Sequence, residues 1–82
     1  MEANAIREVI HAAPFRPFRL HLADGRTLSI LHPEFIHVSP QGRRVLVFRP
    51  DDDAMTIVEP LLIVTLETIE PASAPGANGP AS

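Results

Sequence analysis

From Phe18 onwards, apolar and polar side chains alternate one residue at a time, and this alternation limits the fold more than any other feature of the sequence. Phe18, Leu20 and Leu22 stand at every second position, which is the spacing of a β-strand with one buried face. The alternation returns in later short runs, and Gly, Pro, Asp and Ser separate the runs. The pattern therefore predicts a mostly β fold of about five or six short antiparallel strands joined by tight turns.

A helix is predicted before the strands, over residues 3–13. Its apolar side chains recur at helical spacing, at Ile6, Val9, Ile10 and Ala13. Pro14 is expected to end the helix, and so short a helix must lie against the sheet to be stable. The predicted class is all-β at the border with α+β. The expected architecture is a small SH3-like or Sm-like barrel behind one N-terminal helix, because closure into a barrel removes exposed sheet edges.

The register of the first hairpin can be argued from which side chains must share a face. A two-residue loop at Asp24-Gly25 would set Leu20 opposite Ser29 and mix the two faces. A three-residue loop, residues 23–25, sets Leu20 opposite Leu28 and keeps the faces consistent. Gly25 would then take the left-handed position of the bulge that such loops carry. We prefer the three-residue loop.

The second hairpin follows the turn at residues 39–42, which carries proline at its second position and glycine at its fourth. Pairing Val38 with Val45 keeps one face of this hairpin apolar. The same register sets Phe35 opposite Phe48 and His37 opposite Leu46. It places Phe35, Leu46 and Phe48 on the opposite face, which is then too apolar for open solvent. The helix, a partner subunit or barrel curvature must cover it. These three residues are our candidate interface.

Three further features interrupt the strands: Pro33, an acidic loop at residues 50–53 and a turn at residues 59–61. Pro33 interrupts a strand, since proline cannot donate to a ladder, and a bend is expected there. Residues 50–53 form an acidic hairpin loop. Three consecutive aspartates are a calcium-type donor set, but the loop lacks the glycine and the distal glutamate of an EF-hand, so a solvated turn is favoured. Residues 59–61 are expected to form one helical turn before the last strand, residues 62–69.

Residues 1–69 are predicted to fold as one helix-capped domain. Residues 70–82 hold no large apolar side chain and are mostly Pro, Ala, Gly and Ser, so a disordered tail is expected there. The chain has no cysteine, and a small domain without a covalent staple often gains stability by self-association. A homo-oligomer or a protein partner is therefore expected. No run of about 18 apolar residues and no signal-peptide pattern is present, which predicts a cytoplasmic protein without membrane contact.

The segments PFRPFRL (residues 14–20), LADGR (22–26) and HPE (32–34) resemble a family of short bacterial proteins with no assigned function. This resemblance covers residues 14–69. The order of elements is also similar to that of Sm-like proteins, which have an N-terminal helix, a first hairpin with an Asp-Gly turn, a bent second strand and a short turn before the last strand. That second resemblance implies a ring that binds RNA. The family's RNA-binding residues do not match here, because residues 32–35 lack the Asp-to-Asn pattern and residues 59–62 lack Arg-Gly.

Residues that could carry chemistry are few. His32, Glu34 and His37 offer zinc or nickel ligands, but the two histidines are about 15 Å apart on a straight strand. We favour packing and turn structure for them and expect no metal and no cofactor. Ser29 and Ser39 lie in no nucleophile motif, and the chain has neither Cys nor Lys, so an enzyme is not expected.

The arginines are the candidate contacts for nucleic acid. Arg16, Arg19, Arg43 and Arg44 would form a basic face if the two hairpins adjoin. Acidic residues are interspersed, no Trp or Tyr offers a stacking platform, and the net charge is −3. Ion pairing on the surface is therefore favoured for these arginines. The leading hypothesis is a non-enzymatic module that self-associates or docks a protein partner, and an Sm-like RNA-binding protein is the alternative.

Overall fold

The computed structural model describes residues 1–69, so the predicted tail at residues 70–82 lies outside the described residues. The elements in chain order are α1 (Ala3–Ile10), β1 (Phe18–Leu22), β2 (Thr27–Ile30), β3 (Ile36–Val38), β4 (Val45–Phe48), β5 (Met55–Val58) and β6 (Ile63–Thr68). The prediction of one helix followed by short antiparallel strands is confirmed. Over residues 1–69, no helix is long and apolar enough to span a membrane.

The strands form two antiparallel sheets of three strands each. The first sheet has the order β2-β1-β6 and the second has the order β3-β4-β5. No strand pairing joins the two sheets within the described part of the chain, so the closed barrel that we expected is not seen there. The mostly β composition with two small sheets and one helix is what the structure establishes.

The chain passes between the sheets twice, and each passage is a short 3₁₀ turn that begins with proline. The turns are Pro33–Phe35, between β2 and β3, and Pro60–Leu62, between β5 and β6. Proline suits the first position of such a turn, because its φ angle is already fixed there and its missing N–H would have no partner. The bend predicted at Pro33 and the single turn predicted at residues 59–61 are confirmed, the latter shifted by one residue.

The predicted registers of both hairpins are confirmed. In the first hairpin, Leu20 pairs with Leu28, and the backbone N–H of Leu22 donates to the carbonyl of Arg26 at 2.8 Å, which leaves a three-residue loop. Gly25 has a φ angle of +93°, the left-handed conformation that the loop requires. In the second hairpin, Val38 pairs with Val45.

One predicted pair is wrong. Phe35 was expected opposite Phe48 in the ladder, but β3 begins at Ile36, and Phe35 belongs to the 3₁₀ turn before it. The tight turn that begins at Pro33 includes Phe35, so this residue does not extend β3 and does not pair with Phe48.

The core lies between the inner faces of the two sheets and one side of the helix. Its buried members are Ile6, Phe18, Leu20, Leu22, Ile30, Ile36, Val38, Val45, Val47, Val58 and Ile63. Only Ile6 of the helix is fully buried. The helix ends at Ile10, three residues earlier than predicted, because residues 11–13 are exposed and no burial supports a further turn.

The helix is held against the turn that precedes β4. The guanidinium of Arg7 donates to the carbonyl oxygens of Ser39 at 2.8 Å and of Pro40 at 3.1 Å. Gly42 lies so close to the helix that a Cβ atom built on it would be 2.9 Å from the Cβ of Ala3. Arg7 therefore anchors the helix on this turn, and Gly42 sets how closely the two approach.

Candidate functional site

The two sheets present outward faces of opposite character. The outward side chains of the regular part of the first sheet are polar, and they are those of Arg19, His21, Thr27, Ser29, Thr65 and Glu67. Val64, at the irregularity in β6, is the exception and is 61% exposed. Such a face is stable in water without a cover. The first sheet therefore behaves as a half-solvated antiparallel sheet with one buried face.

The outward face of the second sheet is apolar on β4 and β5, and the exposed His37 of β3 lies beside Leu46 at its margin. We call the side chains of Leu46, Phe48, Met55 and Ile57 the apolar face. Leu46 pairs with Ile57, and Phe48 pairs with Met55, so the four side chains form one contiguous patch on β4 and β5. Met55 is 48% exposed and Ile57 is 53% exposed, while Leu46 and Phe48 are half-buried. Adjoining apolar residues on a sheet face mark an interaction site more often than a solvated surface.

The apolar face contains two of the three predicted interface residues. Leu46 and Phe48 are brought together on it, and Phe35 is not part of the strand pairing. The half-buried ring of Phe35 lies against the ring of His32, with 5.8 Å between the centroids. Sequence reasoning missed Met55 and Ile57. The signal was weak, because β5 reads Met-Thr-Ile-Val and carries apolar residues on both faces.

The predicted arginine contacts lie in two separate settings. Arg43 and Arg44 are exposed and line a groove of about 730 Å³ beside the start of the helix, together with Glu2 and Glu59. Arg16 and Arg19 do not line this groove. Arg19 lies on the first sheet, with its guanidinium 3.9 Å from the carboxylate of Glu67.

The candidate metal ligands His32, Glu34 and His37 are not gathered into one site. His11, Glu34 and His37 line a shallow groove of about 500 Å³ between the helix and β3. Within residues 1–69, no three His, Cys, Asp or Glu side chains come close enough together to hold a metal ion.

The acidic loop uses its middle carboxylate to close the β4–β5 hairpin. Asp52 accepts from the backbone N–H of Ala54 at 3.0 Å and from the guanidinium of Arg49 at 2.9 Å. The backbone hydrogen bond from Ala54, then the contact with Arg49, holds the pKa of Asp52 below its usual value. Asp53 adopts a φ angle of +62° and turns the chain out of the loop into β5. These contacts are those of a solvated turn.

The polar face of the first sheet carries a side-chain hydrogen bond that links distant parts of the chain. His21 Nε2 lies 2.9 Å from Glu67 Oε1, and His21 Nδ1 lies 3.3 Å from the hydroxyl of Thr27. The hydrogen bond from His21, reinforced by the charges of His21 and Arg19, lowers the pKa of Glu67. This network ties β6 to β1 at the exposed surface.

Acid is expected to weaken this tie. A carboxylate whose pKa is lower in the folded chain adds stability above its unfolded pKa and loses that contribution as the pH falls through the folded value. The melting temperature of the wild type should therefore fall between about pH 5 and about pH 3, and the fall should be smaller in Glu67→Gln. Thermal unfolding followed by circular dichroism at both pH values measures the difference. Equal falls in the two proteins would show that Glu67 contributes nothing.

No family model, curated protein or solved structure matches this chain.

Proposed function

We propose that this protein is a non-enzymatic assembly module that binds a second copy of itself through the apolar face. The observation that carries the proposal is the contrast between the sheets, since one outward face is polar apart from Val64 and the other carries Leu46, Phe48, Met55 and Ile57, with His37 at its margin. Half-exposed apolar side chains in one patch lose unfavourable contact with water when a partner covers them.

Two features support a second copy as the partner. The apolar face carries no formal charge of its own to match an oppositely charged partner, and an apolar patch is complementary to itself. A domain of about 70 residues buries only about 60% of its unfolded surface, and self-association adds to that burial without a disulfide or a metal. A two-fold dimer is also the commonest arrangement of identical chains.

The two sheets are proposed to be the halves of a small SH3-like or Sm-like barrel. Support comes from the shared core between their inner faces and from the two short turns, Pro33–Phe35 and Pro60–Leu62, that carry the chain from one sheet to the other. Small barrels of this kind fill their interior with side chains and leave their binding to outer faces and edges.

The test is a matched pair of glutamate substitutions. Ile57→Glu places a charge in the apolar face, whereas Val64→Glu places the same charge at a residue that is 61% exposed on β6, outside that face. Light scattering after size exclusion, at two concentrations of the full chain, is expected to show a dimer for the wild type and for Val64→Glu and a monomer for Ile57→Glu. Circular dichroism must show that both variants are folded. A monomeric wild type, or an Ile57→Glu variant that stays dimeric, would falsify the proposal.

Single-stranded RNA is the alternative ligand, and the exposed pair Arg43 and Arg44 is the observation in its favour. Glu2 and Glu59 line the same groove and oppose it. An RNA site would bind a mixed-sequence oligonucleotide at low salt, would weaken steeply as salt is added, and would lose affinity in the Arg43→Gln/Arg44→Gln variant. Fluorescence anisotropy with a labelled oligonucleotide measures all three.

A further inference from the structure

Within residues 1–69, four strands lie at sheet edges, and three of them carry features that make pairing with another chain less favourable. The helix packs against β3. The ladder of β6 on β1 contains an irregularity between His21 and Leu22, and β6 also carries Glu67. The edge of β2 is regular, but its outward side chains are Thr27 and Ser29.

The edge of β5 is regular, uncharged and apolar. The backbone N–H of Arg49 donates to the carbonyl of Ala54 at 2.9 Å, which fixes the alternation of hydrogen-bonded pairs along β4 and β5. Ala54, Thr56 and Val58 therefore direct their backbone groups towards β4. The backbone N–H and C=O groups of Met55 and Ile57 point away from the sheet. These two residues also expose about half of their side chains on the apolar face.

We infer that β5 pairs with β5 of a second copy in antiparallel fashion, so that two three-stranded sheets become one continuous sheet across a two-fold axis. This inference rests on the proposed function and narrows the contact within the apolar face: Met55 and Ile57 of the two copies cover one another at the β5 edge, and Leu46 and Phe48 of both copies lie on the same side of the continuous sheet. In this arrangement Met55 and Ile57 of each copy form hydrogen-bonded pairs with Ile57 and Met55 of the other. Thr56 then lies on the axis, opposite Thr56 of the second copy, in a pair without hydrogen bonds.

The acidic residues on either side of β5 select this register. A ladder centred on Met55 would set Asp53 opposite Ile57, and a ladder centred on Ile57 would set Glu59 opposite Met55. Each places a carboxylate among apolar side chains within the paired segment. The ladder centred on Thr56 pairs Met55 with Ile57 and Thr56 with Thr56, and no carboxylate lies within it. It ends before Asp53, whose left-handed backbone leads out of the strand.

The first experiment uses the absence of cysteine in the native chain. In an antiparallel pair without hydrogen bonds the Cα atoms are about 4.5 Å apart, which lies within the range that a disulfide can bridge. Thr56→Cys is therefore expected to form a disulfide-linked dimer under oxidised glutathione. Ser29→Cys, which is exposed on the edge of β2, is the matched control and should stay monomeric on a non-reducing gel.

A second pair of variants separates the strand edge from the apolar face. Met55→Pro removes the outward N–H but no hydrogen bond to β4, whereas Met55→Ala removes the side chain and keeps the N–H. The pairing predicts that Met55→Pro is a folded monomer by circular dichroism and light scattering, and that Met55→Ala still dimerises with weaker affinity.

The outcomes distinguish this inference from the proposed function. A dimeric wild type in which Thr56→Cys does not cross-link, or in which Met55→Pro still dimerises, overturns the strand pairing and leaves the apolar face as the interface. A ring-sized mass of about five to seven subunits overturns the two-fold arrangement, since head-to-tail contacts build rings. A monomeric wild type overturns both the strand pairing and the proposed function. Rapid cross-linking of Thr56→Cys, without cross-linking of Ser29→Cys, supports both the strand pairing and the proposed function.

Discussion

Phe18→Ala is expected to lower the free energy of unfolding by about 3–5 kcal/mol, because it removes a fully buried aromatic ring and leaves a cavity. Phe18 belongs to the central strand of the first sheet, where it pairs with Ile30 on one side and with Thr68 on the other. A domain of this size has a total stability of only about 3–10 kcal/mol. Urea unfolding followed by circular dichroism should therefore show a midpoint far below that of the wild type, because the loss is a large fraction of the total stability.

Phe35→Ala is the matched control for this loss. The ring of Phe35 is already partly exposed in the turn before β3, so its removal gives up less apolar burial and leaves less of a cavity. The urea midpoint of Phe35→Ala should lie well above that of Phe18→Ala. Similar midpoints for the two variants would contradict the position of the core between the sheets.

Gly42→Ala is expected to cost about 2–5 kcal/mol, from two separate causes. Gly42 has a φ angle of +74°, which costs a residue with a Cβ atom about 1–2 kcal/mol. The new Cβ would also lie 2.9 Å from the Cβ of Ala3, and forcing the helix away from the turn adds about 1–3 kcal/mol. Urea unfolding of the variant against the wild type measures the sum.

Two further variants separate these causes. Gly25 also has a positive φ angle, but a Cβ atom there meets no heavy atom within 4 Å, so Gly25→Ala should show the conformational cost alone. Ala3→Gly removes the other half of the steric contact. The double variant Ala3→Gly/Gly42→Ala should recover the steric part, and the coupling energy of the cycle measures it. Equal losses in Gly25→Ala and Gly42→Ala would show that the helix yields at no cost.

Local patterns were enough to predict the strands and the registers of both hairpins. Leu20 can share the buried face with Leu28 only if the loop has three residues, and Gly25 supplies the left-handed conformation that this loop needs. The end of the helix was not predictable at the same level. Pro14 restricts only the residue before it, whereas burial, which is a tertiary property, decides that the helix stops at Ile10.

The candidate site was predictable only in part. Leu46 and Phe48 follow from the register of β4, because alternation assigns each residue to a face. Alternation cannot tell which face of a doubly apolar strand is covered, and in β5 it left Met55 and Ile57 undecided. The pair of His21 with Glu67 joins residues 46 positions apart, and no local pattern predicts so distant a contact.

The order of short strands, the turns that join them and the register of each hairpin follow from the amino-acid sequence alone, because these depend on neighbours in the chain and on the two-residue period of a strand. The division of the strands into two sheets at Pro33 and Pro60, and the packing of the helix against β3, are visible only in the folded structure. Those outcomes depend on which surfaces meet across the core. The same packing leaves the β5 edge and the apolar face as the surfaces on which the proposed assembly rests.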